Sequence, residues 1–202
     1  DVYKRQAYDF PPLAEAMHQH PGLPKVAYMY MLQSQGLLHD TWVYGVDAKR
    51  ILPTMISPTE LMDGAIISGN CVSACDKNNT YVHLKNPVVK SLYEHDGKDL
   101  NFVGVIITNE NVTLADKKRS SSYAVKLARM LGVDAVVISE EGFGNPDADL
   151  IMNCRKSEQA GIKTVLTIHA DSTYQLTQDY LERKDGHDEA SVVLRVLDGK
   201  VL

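Results

Sequence analysis

Apolar residues in this chain come in short unbroken runs, separated by polar, glycine-bearing stretches and by segments of helical period. Residues 25–32 (Val26, Ala27, Tyr28, Met29, Tyr30 and Met31 inside) read as a buried strand, and residues 101–108 form the clearest strand of all. Phe102 to Ile107 carries no charge, as a parallel strand covered on both faces requires. Residues 134–139 and 163–168 repeat the pattern. Between them, residues 116–131 place Tyr123, Ala124, Leu127 and Leu131 at helical spacing before Gly132, and a second helix over 149–160 closes at Gly161. A β-α-β-α-β succession of this kind predicts an α/β fold: a mostly parallel sheet flanked by helices, with right-handed crossovers.

Upstream the pattern is shorter-ranged. Pro11-Pro12 starts a predicted helix that ends near His18 and His20, and Trp42-Val43-Tyr44 predicts a strand closed by Gly45. The dense aromatic content of residues 28–46 is read as core packing. Ser57-Pro58-Thr59-Glu60 has the spacing of a capping box with proline in the first turn, so a short helix is expected before Gly64, then a strand over 65–67. Pro87 opens an amphipathic helix with Val88, Val89, Leu92 and Tyr93 on one face, stopped by Gly97. Polar stretches at 68–80, 109–116 and 140–147 each follow a predicted strand. The expectation is that all three lie at one edge of one sheet and share a site, where open α/β sheets collect their ligands.

Composition narrows the class. The 202 residues are 44% apolar, enough for a substantial core, and the formal charge of −5 leaves no basic footprint for nucleic acid. No apolar run has the length of a membrane span and no signal-peptide pattern is present, so no membrane partner is expected. Three cysteines, Cys71, Cys75 and Cys154, do not make a disulfide framework and point to a reducing, cytoplasmic setting. The first residues, Asp1-Val2-Tyr3, and the last, Val201-Leu202, read as the ends of a fragment of a larger proprotein.

Each polar stretch carries candidate chemistry. In Ser68-Gly69-Asn70-Cys71, Gly69 frees the backbone and Asn70 presents its carbonyl to the Cys71 thiol. Such a thiol can take the acyl group as a thioester, and elimination at the cysteine then leaves an α-keto acyl (pyruvoyl) group at the new N-terminus. Cys71-x-x-x-Cys75 has neither zinc-ligand spacing nor the redox Cys-x-x-Cys form, and the His18/His20 pair has no third ligand, so no metal is expected. Gly142-x-Gly144 lacks the third glycine of a dinucleotide fingerprint. Glu140-Glu141 can raise one carboxyl's pKa, although a surface pair facing opposite ways is the plainer expectation. Cys154, among Ile151 and Met152, is expected to be buried, whereas Cys75 either assists processing or packs.

Long words in these stretches resemble one family. They are Ser68-Gly-Asn-Cys-Val-Ser-Ala-Cys-Asp-Lys-Asn78, the run from Gly97-Lys-Asp-Leu-Asn to Asp116-Lys-Lys-Arg-Ser-Ser121, and Ser139-Glu-Glu-Gly-Phe-Gly-Asn-Pro-Asp147. They resemble the component B α/β proprotein of glycine/sarcosine/betaine reductase, with the D-proline reductase proprotein as a relative, over about residues 7–165. The resemblance implies self-cleavage at Asn70–Cys71, a pyruvoyl cofactor derived from Cys71, and a small amino-acid substrate held by its amine as a Schiff base. It also implies a partner subunit that supplies a selenocysteine, together with the other reductase components. Glycine or sarcosine is favoured, because betaine's quaternary nitrogen cannot form an imine.

Asn70, Ser73 and Asp76 join Cys71 as candidate catalytic residues. Asn78, Asn109, Glu110 and Glu141 are candidate substrate-binding ones. Residues 1–64 would end the upstream subunit, 65–170 would hold the core with the Cys71 loop, and 171–202 depart from the family pattern. Two other readings stay open: a catalytically silent scaffold, and a thiol enzyme with Cys71 as nucleophile and His83 as base.

Overall fold

The structure is a computed structural model that describes residues 16, 18–34, 40–69, 78–142 and 144–167. Its centre is β1 (Lys25–Gln33), the middle strand of a five-stranded sheet. Side chains alternate across a strand. Thus Val26, Tyr28, Tyr30 and Leu32 enter one core, and Ala27, Met29 and Met31 enter the other. An apolar period of one therefore marks a strand buried on both faces, as expected.

The chain then builds a small second sheet from β2 (Thr41–Val43) and β3 (Val46–Asp47), followed by a 3-10 turn (Ala48–Arg50). Strand β4 (Thr54–Ile56) runs antiparallel along one edge of the large sheet. Helix α1 (Pro58–Met62) is set by the predicted capping box: Glu60 accepts the Ser57 N–H at 2.6 Å while Ser57 caps the first turn. β5 (Ile66–Ser68) follows and pairs antiparallel with β2, Thr41 opposite Ser68 and Trp42 opposite Ile67. This corrects the expectation of a single sheet edge: the stretch beginning at Ser68 leaves the second sheet, not the parallel one. Three residues of β5 lack the length of a core strand, and their outward Ile67 is exposed.

Helix α2 (Thr80–Leu84), which the polar character of residues 76–80 concealed, is capped by Asn79, whose side chain accepts from the Val82 N–H at 3.1 Å. α3 (Pro87–His95) buries Val88, Val89 and Leu92 as predicted. β6 (Asn101–Glu110) lies between β4 and β1. Its pairing with β1 jumps from Phe102 opposite Val26 to Gly104 opposite Ala27, a bulge at Val103. Gly104 takes φ +147°, which a side chain would oppose. The extra residue resets the alternation, so Phe102 and Val105 face the same core.

α4 (Leu114–Met130), β7 (Ala135–Ser139), α5 (Asn145–Gln159) and β8 (Lys163–Thr167) complete a parallel run, giving the order β4-β6-β1-β7-β8. α4 and α5 cover one face through Ala124, Ala128, Leu150 and Cys154, whereas α1, α3 and β5 cover the other. The α4 face differs from the predicted one. Tyr123 is 42% exposed, and Lys117, Ser120 and Ser121 are buried instead, because small residues let α4 approach α5 and Lys117 is paired there.

Candidate active site

The carboxyl ends of β1, β6 and β7 lie side by side in the large sheet, and β6 and β7 lead into α4 and α5 on one of its faces. Adjacent carboxyl ends of this kind are where open α/β sheets commonly bind ligands. Gln33 and Ser34, Asn109 and Glu110, and Ser139, Glu140 and Glu141 converge there. Asn109 and Glu110 are the last residues of β6 and fully buried, not members of a following loop.

Glu141 links all three strands. Its Oε2 accepts the Gln33 N–H at 2.8 Å, its own N–H donates to Glu110 Oε1 at 2.9 Å, and its Oε1 lies 3.8 Å from His83 Nε2. Ser34 Oγ donates to the Glu110 carbonyl at 2.6 Å. Glu110 Oε2 is buried with no hydrogen-bond partner among the described residues. Burial, then the charge of Glu141, holds the Glu110 carboxyl well above the usual carboxylate range.

Glu140 turns the other way, toward Asp147, Asp149 and Lys117. The glutamates do face opposite sides, but the expected surface pair is corrected: Glu140 is 2% exposed and Glu141 0%, since β7 ends beneath both helix layers. Burial, reinforced by Asp147 and Asp149 and opposed by Lys117, pushes the Glu140 carboxyl up to about 9, and neither of its oxygens has a hydrogen-bond partner among the described residues. Lys117 Nζ donates to Asp149 and, at 2.9 Å, to the Asn145 carbonyl, which satisfies the buried cation.

On the opposite face a buried polar chain joins the two sheets. His83 Nδ1 and the Tyr30 hydroxyl are 2.8 Å apart, and His83 Nε2 and Ser68 Oγ are 2.9 Å apart. Ser68 Oγ also meets Thr41 Oγ1 at 2.8 Å, and Asn78 donates to the Tyr30 hydroxyl at 3.0 Å. Thr80 Oγ1 accepts from the Ser68 N–H at 3.0 Å and donates to the Ser68 carbonyl at 2.9 Å, so Ser68 is held through backbone and side chain together. Beside it, Tyr28 stacks on Tyr30 with ring centres 5.2 Å apart and bonds Ser139 Oγ at 2.5 Å. Burial raises both phenols' pKa values, so both stay neutral donors.

Of the predicted residues, Asn78, Glu110 and Glu141 are brought together around Tyr30 and His83. Asn109 is turned toward the scaffold: its amide donates to the carbonyls of Ala48 and Ile51 at 2.9 and 3.3 Å and accepts from Ser120. Asn70, Cys71, Ser73, Cys75 and Asp76 lie outside the described residues. Cys154 is buried as expected, its thiol pushed up to about 11 by burial. Among the described residues no group of histidine, cysteine, aspartate and glutamate has a metal-holding arrangement, and no helix is long and apolar enough to cross a membrane.

Sequence reading alone assigned Tyr28 and Tyr30 to packing and missed their hydroxyls. The available signal was two tyrosines at alternate positions of an otherwise apolar strand, because a buried phenol requires a partner.

The family described as glycine/sarcosine/betaine reductase component B subunits matches residues 1–186. The chain belongs to this family. It is 63% identical over 185 residues to the glycine reductase complex component B subunits alpha and beta of Acetoanaerobium sticklandii, covering 92% of this chain and 41% of that protein. It is also 63% identical over 159 residues to the sarcosine reductase complex component B subunit alpha of Peptoclostridium acidaminophilum, covering 79% and 37%. The D-proline reductase proprotein of A. sticklandii is a distant relative, 26% identical over 161 residues that cover 74% of this chain and 25% of that protein. The chain thus spans about two fifths of the length of these component B relatives. No solved structure matches it.

Proposed function

We propose that this chain is part of a component B proprotein that cleaves itself at Asn70–Cys71 and supplies the substrate-binding half of an amino-acid reductase. In this reading the complex acts on glycine or sarcosine, with a selenocysteine-bearing subunit and the further reductase components as partners in the cytoplasm. The observation that carries the reading is the anchoring of both ends of the segment around Cys71. Ser68 on one side and Asn78 on the other are bound into the Tyr30–His83 chain, beside the buried carboxyls of Glu110 and Glu141.

The residues at these strand ends fit a carbonyl cofactor. Neutral phenols donate hydrogen bonds, and a buried carboxyl that keeps its proton, Glu110, has an oxygen without a partner among the described residues. When present at position 71, the pyruvoyl group supplies an electrophilic carbonyl for the substrate's amine. In this reading Asn78, whose amide donates to the Tyr30 hydroxyl, orients the substrate. Glu110 and Glu141 hold and move protons for the departing amine, and Asn70, Ser73 and Asp76 serve cleavage itself.

Denaturing intact-mass analysis of the full-length protein from a native-like host tests the reading. The expected result is two fragments divided at Asn70/Cys71, the downstream one gaining two hydrogens with borohydride alone and, when glycine or sarcosine is added first, the substrate's mass less water plus two hydrogens. D-Proline labelling instead would move the assignment to the proline reductases. A single chain with an alkylatable Cys71 would sink it in favour of a silent scaffold or a thiol enzyme.

A further inference from the structure

We propose that Gln33, Glu110 and Glu140, at the ends of three adjacent strands, form a binding site for a small protonated amine: the substrate's amino group or the ammonium the reaction releases. This inference rests on the component B reading above and gives Gln33 and Glu140 a part in it. Strand geometry brings the three together. Side chains alternate across a strand, and Met31, Ile106 and Ile138 all enter the core beneath α4 and α5. Gln33, Thr108, Glu110 and Glu140 follow them at even spacing and therefore stand on that same face.

Register sets their order. Gln33 is directly opposite Glu110, and Met31 is opposite Thr108. On the other side Tyr30 is opposite Ser139, which brings Glu140 alongside Met31. A Cβ on Gly142 would lie 2.9 Å from Gln33 Oε1, so the Gln33 amide rests against the chain two residues beyond Glu140.

The cluster is set apart by its open acceptors. Gln33 Oε1, Thr108 Oγ1, Glu110 Oε2 and both carboxyl oxygens of Glu140 are buried with no hydrogen-bond partner among the described residues. Thr108, Glu110 and Glu140 are at most 2% exposed. Buried polar atoms without partners are uncommon, and so many on one face of three neighbouring strands point to a ligand with several donors.

Charge decides the sign of that ligand. Glu140 faces Asp147 and Asp149 from α5 and Lys117 from α4, and Glu110 faces Glu141, Glu140 and Asp149. Lys117 is already engaged by Asp149 and the Asn145 carbonyl, so carboxyls outnumber cations around the open oxygens. An anion is excluded by this surplus. Because no metal-holding arrangement exists among the described residues, a cation that donates N–H bonds is the better fit. Burial raises both carboxyls, Glu140 to about 9. A bound ammonium favours their ionised form, so its uptake releases a proton to solvent and tightens as pH rises toward 9.

Isothermal titration calorimetry of the full-length component B protein tests the site with ammonium and methylammonium chloride, in two amine-free buffers of different ionisation enthalpy. Potassium and tetramethylammonium chloride carry the charge without an N–H. The expected result is binding of the two N–H-bearing cations only, with proton release and an affinity that rises with pH. Glu140→Gln keeps the shape and is expected to weaken binding about tenfold or more, the loss of one charge-assisted hydrogen bond, and to remove most of the proton release. Gln33→Leu keeps the backbone N–H that Glu141 accepts and is expected to weaken binding about fivefold. It decides the matter if Glu140→Gln fails to fold.

Glycine titrated in the same way identifies the occupant. Weaker glycine binding in the variants assigns the site to the substrate's amino group, and unchanged glycine binding assigns it to the released amine. Binding of neither amine, equal binding of potassium, or unchanged methylammonium affinity in a folded variant overturns the site and leaves the component B reading intact. A wild-type protein that neither cleaves nor takes up the mass of glycine overturns that reading, and the role of the site in the reaction falls with it.

Discussion

Glu140 has a buried carboxyl whose pKa of about 9 in the fold stands far above the ordinary 4.5, with burial as the main cause. Between those values the folded chain keeps a proton that the unfolded chain releases. The stability this provides is therefore fully present below pH 4.5 and lost as pH rises toward 9, with a limiting slope of about 1.4 kcal/mol per pH unit. Glu110 and Asp149, also raised by burial, push in the same direction. Glu140→Gln keeps the shape and removes the titration. Its melting temperature is expected to fall less steeply than the wild type's between about pH 5 and pH 9, measured by calorimetry. Equal slopes would mean that Glu140 is ionised in the fold. A neighbouring glutamate pair was visible in the sequence. That both members are buried was not, because burial at a strand end depends on the helices that cover it.

Among the elements, those set by local chemistry were the most legible. The Ser57–Glu60 capping box, the proline-led α3 and the unbroken apolar runs of β1 and β6 all form where their residues predict. Ser57→Ala removes a cap whose loss typically costs about 1 kcal/mol, so a small drop in denaturation midpoint with unchanged slope is expected in urea titration. A loss several times larger would show that Ser57 also holds distant structure. β5 and α2 were less legible for opposite reasons. Ile66-Ile67 reads as a core strand but lies in a three-residue strand of the second sheet, and α2 hides in polar sequence because its stability comes from the Asn79 cap and from His83 docking on Tyr30.

For the molecule as a whole, the proposed cleavage point has a structural consequence. β1 precedes Cys71 in sequence, yet it stands between β6 and β7, which follow it, paired with β6 over its full length and with β7 over five residues. Cutting at Asn70–Cys71 therefore leaves the upstream piece as the centre of the downstream piece's sheet. The two fragments are expected to travel together in native size-exclusion chromatography and to separate only in denaturant. Separation under native conditions would contradict the sheet order.

The sequence by itself determined the α/β class, the succession of parallel strands and crossover helices, and the family, through long words that survive whatever the fold does with them. These are properties of local pattern and of residue identity. Only the tertiary structure decided that Ser68 ends a strand of a second sheet, that Tyr30 and His83 join the two sheets by hydrogen bonds, and that Glu110, Glu140 and Glu141 are all buried at the strand ends. Those facts depend on which strands become neighbours. Strand order joins residues 53 or 111 positions apart, and no periodicity in the chain records it.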